Sequence, residues 1–594
     1  MSFWGELKRR DVFKVAVTYL VASWLIVQVI GVLGDALDLP DLLDTVVVIL
    51  LAIGFPVALT IAWIYEVTPE GIKVTPTEHS TGHATSRSSK RLTYVLAGLL
   101  VIAVTLLAID SFTLTPSSTQ FGAGSRLAVL PCDDLSPDPT NSFFAVGIHE
   151  ELLNRLSSLG TLDVISRTSV EQYAGIRPPV PQIAAELDVD AVMECSARYA
   201  GDRVLLTVQV IDGESDAHMW SESYPADMSD LESLFEIQAN LAIDVANALN
   251  LNLLDEERER IDRAPTASRE AYELYLAFQG MSPFEWASDR ALQLVEEALA
   301  IDDAFPEAWI AKSAAHFWRA WSAPLDSAQT ESDRAVQAAA RASQMSSVDK
   351  FLAAGWLAGS MYQRGQWVEA EMTFREYALE LGRQPIHIGG YGPLKMAVGH
   401  FDEALDAFEE QLASDPLAST TAGFTMMAHE LLGDIEARQQ AYDRGERLYP
   451  NWTQTFDVTL LRLGRRDTEG MNDLTLNSID AIGVAHLDDR AAGLQALRAL
   501  PDQTDFIGSS VSYLQMSSWA AYFGDSELAL QWMTASTTTL PGMLTRAWYP
   551  VFDAVRSEPG FGALVEDLGL PEYWDRFGWP PFCERLDDGR ISCR

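Results

Sequence analysis

The feature that most constrains this chain is a spacing. Gly365, Gly399 and Gly433 recur every 34 residues, and so do Phe374, Phe408 and Tyr442. Ala370 and Ala404 each follow their glycine by five residues, and Pro416 and Pro450 are separated by the same interval. The period predicts a helix, a glycine turn, a second helix carrying small and aromatic packing positions, and a proline that stops it. Such a unit has an apolar face it cannot bury alone, so neighbours must stack into an all-α superhelix. An earlier unit fits through Ala291, Ala298 and Trp309, and a later one through Gly524 and Ala529. The stretch from Trp452 to Ser510 breaks the period, and its helices are not placed by it.

The N-terminal part obeys a different pattern. Val15 to Gly34 and Thr45 to Tyr65 are apolar runs without a charge, each long enough to span a hydrocarbon layer, and Leu92 to Ile109 is a shorter one. Lys8, Arg9, Arg10, Lys14, Lys73, Arg87, Lys90 and Arg91 all precede the third run, whereas Asp35, Asp38, Asp41 and Asp44 lie between the first two. The positive-inside rule then predicts three transmembrane helices in a bacterial inner membrane, with a cytoplasmic N-terminus and everything after Ile109 in the periplasm. The lipid bilayer is thereby an expected partner. Membrane region 1–112 and linker 113–125 precede the soluble part.

Residues 126–254 alternate between strand-like and helix-like patterns. Leu127 to Pro131 is a short apolar run stopped by proline and two aspartates, and Gly147 to Leu159 has helical spacing with Leu152, Leu153 and Leu156 on one side. Ala191 to Ala200, Arg203 to Ile211 and His218 to Tyr224 read as strands, with Ala200-Gly201-Asp202 as a hairpin turn. An α/β sandwich follows. The expected organisation is thus multi-domain: membrane helices, this α/β domain, a helical repeat domain over 265–575 and a tail over 576–594.

The sequences LAVLPCDDLS, FFAVGIHEELLNRL, IAAELDVDAVMECSARYAGDRVLLTVQVID and HMWSESY, in that order, resemble the TolB-like N-terminal domain found beside repeats in bacterial membrane and cyclase-linked proteins. The 34-residue units resemble tetratricopeptide (TPR) repeats, and YPVFDAVRSEPGFGALVEDLGLP resembles their closing segment. FWGELKRRDVFKVAVTYLVASWLIVQV with IGFPVALTIAWIYEVTPEGIKV resembles a two-span module that precedes such regions in proteobacterial proteins. Cys132 and Cys195 depart from the TolB-like pattern, and if their strands are neighbours the departure implies a disulfide between them. Cys583 and Cys593 are close enough to close a small loop. Two disulfides and four free thiols both stay open at this point, and the absence of any CxxC pair gives no zinc site.

No catalytic machinery is legible. The chain has no GxxxxGK[ST], HExxH or GxSxG, and His429-Glu430 is followed by Gly433 where a second zinc ligand would stand. His149, Glu150 and Glu151 are titratable, but neighbours on a helix point about 100° apart. They read instead as first-turn residues complementing a helix dipole. Trp309, Trp318, Trp321, Trp356 and Trp367 suggest an aromatic groove, although helical spacing favours packing. A formal charge of −42 argues against nucleic acid. The expectation is a non-enzymatic, cofactor-free, membrane-anchored periplasmic scaffold that binds a protein or peptide on the concave face of the repeats. The alternative is a transmembrane sensor coupling periplasmic binding to a cytoplasmic partner.

Overall fold

The computed structural model describes residues 124–594, apart from 136–141, 158, 160–161, 177, 201–202, 228–230, 283–284, 346–349, 381–389, 450–451, 453–454, 470, 472–477 and 504–507. Before residue 124 it describes only positions 15, 18–24, 26, 51, 54–55, 65–68 and 71–74. The chain divides into two compact units, Met1–Thr115 and Pro116–Arg594.

In the first unit, residues 18–24 are helical, and Tyr19 donates its hydroxyl proton to the Leu51 carbonyl at 2.9 Å. Tyr65–Thr68 (β1) and Gly71–Val74 (β2) form an antiparallel hairpin, pairing Tyr65 with Val74 and Thr68 with Gly71. Among the described residues no helix is long and apolar enough to cross a membrane. This corrects the expectation of three transmembrane helices and, with it, the multi-pass inner-membrane location and periplasmic placement. An uncharged run satisfies the length criterion, but a span also needs one continuous helix, since only that pairs every backbone group internally. Tyr65, the last residue of the second run, is instead in a strand. The third run, 92–109, lies outside the described residues.

The second unit begins with a six-stranded sheet formed by β3 (Ser125–Val129), β4 (Asp133–Asp134), β5 (Leu162–Val164), β6 (Ala191–Ala200), β7 (Arg203–Asp212) and β8 (His218–Asp227). The order is β5-β3-β6-β7-β8, with β4 beside β6; β3 is parallel to both β5 and β6, and β6-β7-β8 is an antiparallel meander. β3 is buried on both faces, which is why it reads as an unbroken apolar run rather than an alternation. Helices α1 (Ser142–Ser157) and α3 (Leu231–Ala248) cover one face, and α2 (Val180–Leu187) covers part of the other. In α2, Val180, Ile183, Ala184 and Leu187 recur at helical spacing on the buried side. Pro181 opens the helix, and Asp188 ends it in the left-handed conformation at φ 53°.

Helical hairpins follow: α4 (Arg269–Gln279) with α5 (Asp289–Ile301), α6 (Pro306–Ser322) with α7 (Leu325–Ser343), and α8 (Lys350–Gln363) with α9 (Trp367–Glu380). Next come α10 (Tyr391–Ala397) with α11 (Phe401–Ser414), and α12 (Ser419–Leu432) with α13 (Ile435–Leu448). Where the period breaks, α14 (Phe456–Arg465) and helices over Ser478–Ala485 and Arg490–Arg498 lead to α15 (Ser510–Phe523) and α16 (Ser526–Thr539). The chain ends with α17 (Pro559–Asp567), α18 (Leu570–Phe577) and a hairpin of β9 (Cys583–Arg585) and β10 (Ile591–Cys593).

The array is not open. Ser509 bridges to Pro324, and Leu325 donates its N–H to Gly508 at 3.1 Å, so α15 returns to the start of α7. The turn Pro541–Arg546 is buried throughout and packs on the first helices of two hairpins, with Thr545 against the Pro393 carbonyl and Pro541 against Gly365. Arg546 sits there as a buried cation between Phe424 and Trp321, paired with Asp457 at 3.0 Å, and Tyr549 donates to the same carboxylate at 2.9 Å. At these positions the first helices of the hairpins are therefore covered by a later segment of the chain itself. One apolar core runs from Ala320 to Cys593, and another joins the sheet to α4, α5 and α6 without a break at residue 254.

Candidate functional site

The titratable triplet of α1 does not converge. The helix starts at Ser142, so His149 lies half-way along it, and no acidic residue stands in its first turn. The dipole explanation therefore fails as well. His149 is buried and donates its Nε2 proton to the Val129 carbonyl of β3 at 2.9 Å. Burial pushes its pKa down to about 4, which keeps the ring neutral. Glu150 turns to Arg167 at 3.0 Å, and burial raises its carboxyl to about 7 against the pull of that guanidinium. Glu151 pairs with Arg155 at 2.9 Å within the same helix. Three neighbours thus face three different partners.

The remaining residues singled out by pattern are structural. Gly365, Gly399 and Gly433 stand between paired helices at φ 81°, 82° and 77°, the left-handed region where a side chain is strained. Ala370, Phe374, Ala404 and Phe408 are fully buried, Tyr442 is partly buried against the same core, and Pro416 is buried after α11. Pro450 lies outside the described residues. Trp367 is packed into the core with its indole N–H on the Leu568 carbonyl at 2.7 Å. Trp309 donates to the Asp303 carbonyl at 2.9 Å, and Trp318, Trp321 and Trp356 cluster around Phe317 or one another. Cys132 is bonded to Cys195 and Cys583 to Cys593. Register brings each pair together: β4 pairs Asp133 with Ser196, one step beyond the first pair, and Cys583 lies opposite Cys593.

A cleft of about 720 Å³ lies elsewhere, between the α2 end of the sheet lobe and helices α11 to α13. Pro416, Ala422, Ala437 and Ala441 are among its apolar lining residues, while Arg126, Glu186, Asp188, Glu409, His429 and Arg444 supply its charged and titratable groups. Arg126 is held in place by Asp163 at 3.3 Å, by Asp188 and by the Ala413 carbonyl. Beside the cleft the two lobes are tied through the turn after α11. Ser169 bonds Asp415 and accepts the Leu417 N–H at 2.8 Å, and burial raises the Asp415 carboxyl. His429 points toward Glu409 at 3.8 Å across the hairpin boundary, and its Nδ1 is buried without a hydrogen-bond partner. Among the described residues no group of three or more His, Cys, Asp or Glu could hold a metal.

No protein-family model matches the chain, so neither the TolB-like nor the tetratricopeptide family is shown for it. Over 190 residues it is 34% identical to a protein of Rhizobium meliloti (strain 1021) named putative adenylate cyclase 3. That stretch is 31% of this chain and 31% of the relative. Among solved structures it is similar to the LpoB C-terminal domain from Salmonella enterica, at 21% identity over 20% of this chain and 91% of that one. The TM-score is 0.16, and this likeness carries no argument.

No residue of the cleft carries a sequence pattern for ligand binding. Its walls come from positions 126, 185–188 and 409–444, which no spacing connects. The nearest signal is His429-Glu430, which lacks the second zinc ligand that would make it a motif.

Proposed function

We propose that the chain is a protein-binding module whose ligand, a peptide segment of a partner protein, lies in the cleft between the sheet lobe and α11 to α13. The observation that carries this reading is the cleft itself: a lining that mixes apolar residues with charged groups is the make-up of a site that buries side chains while fixing their register. Burial of Pro541–Arg546 against α8 and α10 takes that part of the hairpins out of reach of a ligand, which supports a site on this other face. The two sides of the cleft are tied by the Ser169 bonds to Asp415 and Leu417 and by Arg126 on the Ala413 carbonyl, so a ligand meets a site that is already formed. Photo-crosslinking tests it. A benzoylphenylalanine at Gln440, exposed on α13 and lining the cleft, should trap a discrete protein in intact cells, while the same group at Glu376 on α9 should not. Equal crosslinking at both positions would overturn the reading.

A second reading has one observation in its favour, the similarity to a protein named putative adenylate cyclase 3. It makes this chain a nucleotide cyclase or part of one. Production of cyclic AMP from ATP by the purified chain, with magnesium or manganese, is the deciding measurement. Turnover that survives substitution throughout the cleft would favour this reading over binding.

A further inference from the structure

The turn edge of the helical hairpins carries an apolar step that the chain covers twice and leaves bare once. Two residues after Gly365, Gly399 and Gly433 stand Trp367, Phe401 and Ile435. Trp367 is 2% exposed, and a methyl group on Gly365 would come within 2.9 Å of Pro541. Phe401 is 8% exposed and stacks on Phe582 with centroids 5.1 Å apart. A methyl on Gly399 would come within 2.8 Å of Phe582 and 3.2 Å of Pro580. At the third turn the pattern stops. Ile435 is 47% exposed and Leu432 38%, and among the described residues nothing lies within 4 Å of the methyl position of Gly433.

The two coverings share a chemistry. Both bring a proline to the left-handed turn, and the second adds a phenylalanine that fills the neighbouring apolar step. Proline suits such a place because it has no N–H to leave unpaired and its φ is already fixed. A lone exposed leucine or isoleucine is ordinary on any surface. Here the pair flanks an uncovered turn at the next step of an edge whose two preceding turns are internal interfaces. We propose that the Gly433 turn, with Leu432 and Ile435, docks a segment of a partner protein that carries a proline and an aromatic residue, as Pro580–Phe582 does on the Gly399 turn. The proposal rests on the reading of the chain as a protein-binding module. Leu432 also extends the row Ala422, Thr425 and His429, which lines the cleft on α12, so a segment lying in the cleft leads to this turn.

A labelled peptide with the sequence of residues 577–582, FGWPPF, titrated against the full chain is the test, read by fluorescence anisotropy. Saturable binding below about 1 mM is expected, weakened at least roughly tenfold by Ile435→Asp and by Leu432→Asp. Both substituted side chains are exposed, so the variants should fold, which circular dichroism checks. Leu379→Asp, at an exposed apolar residue on α9, should leave binding unchanged, and so should no peptide lacking both prolines bind. Absence of saturable binding, or binding indifferent to both turn variants, overturns the proposal. A concentration-dependent dimer of the chain that Ile435→Asp abolishes would name a second copy as the occupant and overturn it too. Failure of the Gln440 crosslink together with peptide binding at the turn would remove the cleft reading and leave this one standing.

Discussion

Glu150 is where burial and charge oppose each other most directly. Its carboxyl is raised from near 4.5 to about 7, so between those values the folded chain holds a proton that the unfolded chain releases. Stability therefore falls as pH rises through that window, and the loss is complete above about 7. His149 acts in the opposite direction. Its pKa is lowered from 6.5 to about 4, so its contribution grows with pH across that interval and is complete above 6.5. Glu150→Gln removes the first effect alone. Its stability relative to the parent, measured by urea denaturation, should improve from pH 5 to pH 8 by up to about 3 kcal/mol. A difference that does not change with pH would show that Arg167 already compensates the charge. Lys395 makes a second case. It is 1% exposed, 2.9 Å from the fully buried Glu371, and it donates to the Tyr573 hydroxyl at 2.9 Å. Lys395→Met takes one of two cations from that carboxylate, leaving it Arg375 and the Tyr391 and Tyr573 hydroxyls among the described residues, and should cost about 3 to 5 kcal/mol.

At the scale of the element, the hairpin turns separate conformation from packing. Gly399 and Gly433 have nearly the same φ, but among the described residues only Gly399 is roofed by another part of the chain. Gly433→Ala should cost about 1 kcal/mol, the strain of a side chain at positive φ, and Gly399→Ala should cost more because Phe582 must also move. Equal urea midpoints for the two variants would show that the C-terminal segment yields freely. These turns were legible in the sequence because a glycine is the residue that a left-handed turn selects, and a stacked array repeats that demand at a fixed interval. The strand register was legible for a similar reason: Val204, Leu206, Val208 and Val210 alternate toward one core. The role of His149 was not legible. Its partner is a carbonyl of β3, and a backbone acceptor leaves no mark in the sequence.

For the whole molecule, the decisive feature is that the sheet lobe does not own its core. Tyr272, Tyr275, Leu276 and Phe278 of α4 lie in the same cluster as Leu152, Val208 and Phe235. Gly147 allows the approach, since a methyl there would come within 2.8 Å of Leu276. A fragment ending at residue 254 should therefore lack cooperative unfolding, whereas one extended to 322 should unfold in a single transition, as followed by circular dichroism in urea. Cooperative folding of the shorter fragment would show that the shared cluster is dispensable.

What the sequence determined by itself was local and periodic: the glycine turns, the helical hairpins, the central strands and the positions that pack them. Each follows from a conformational or burial demand that a residue type meets on its own. Only the tertiary structure decided that uncharged runs do not yield a spanning helix among the described residues, and that the helical array closes on its later helices. It alone assembled the cleft from positions about 300 residues apart. Closure and cleft depend on which apolar faces find each other across the chain, and burial is non-directional, so composition permits many pairings and the fold selects one.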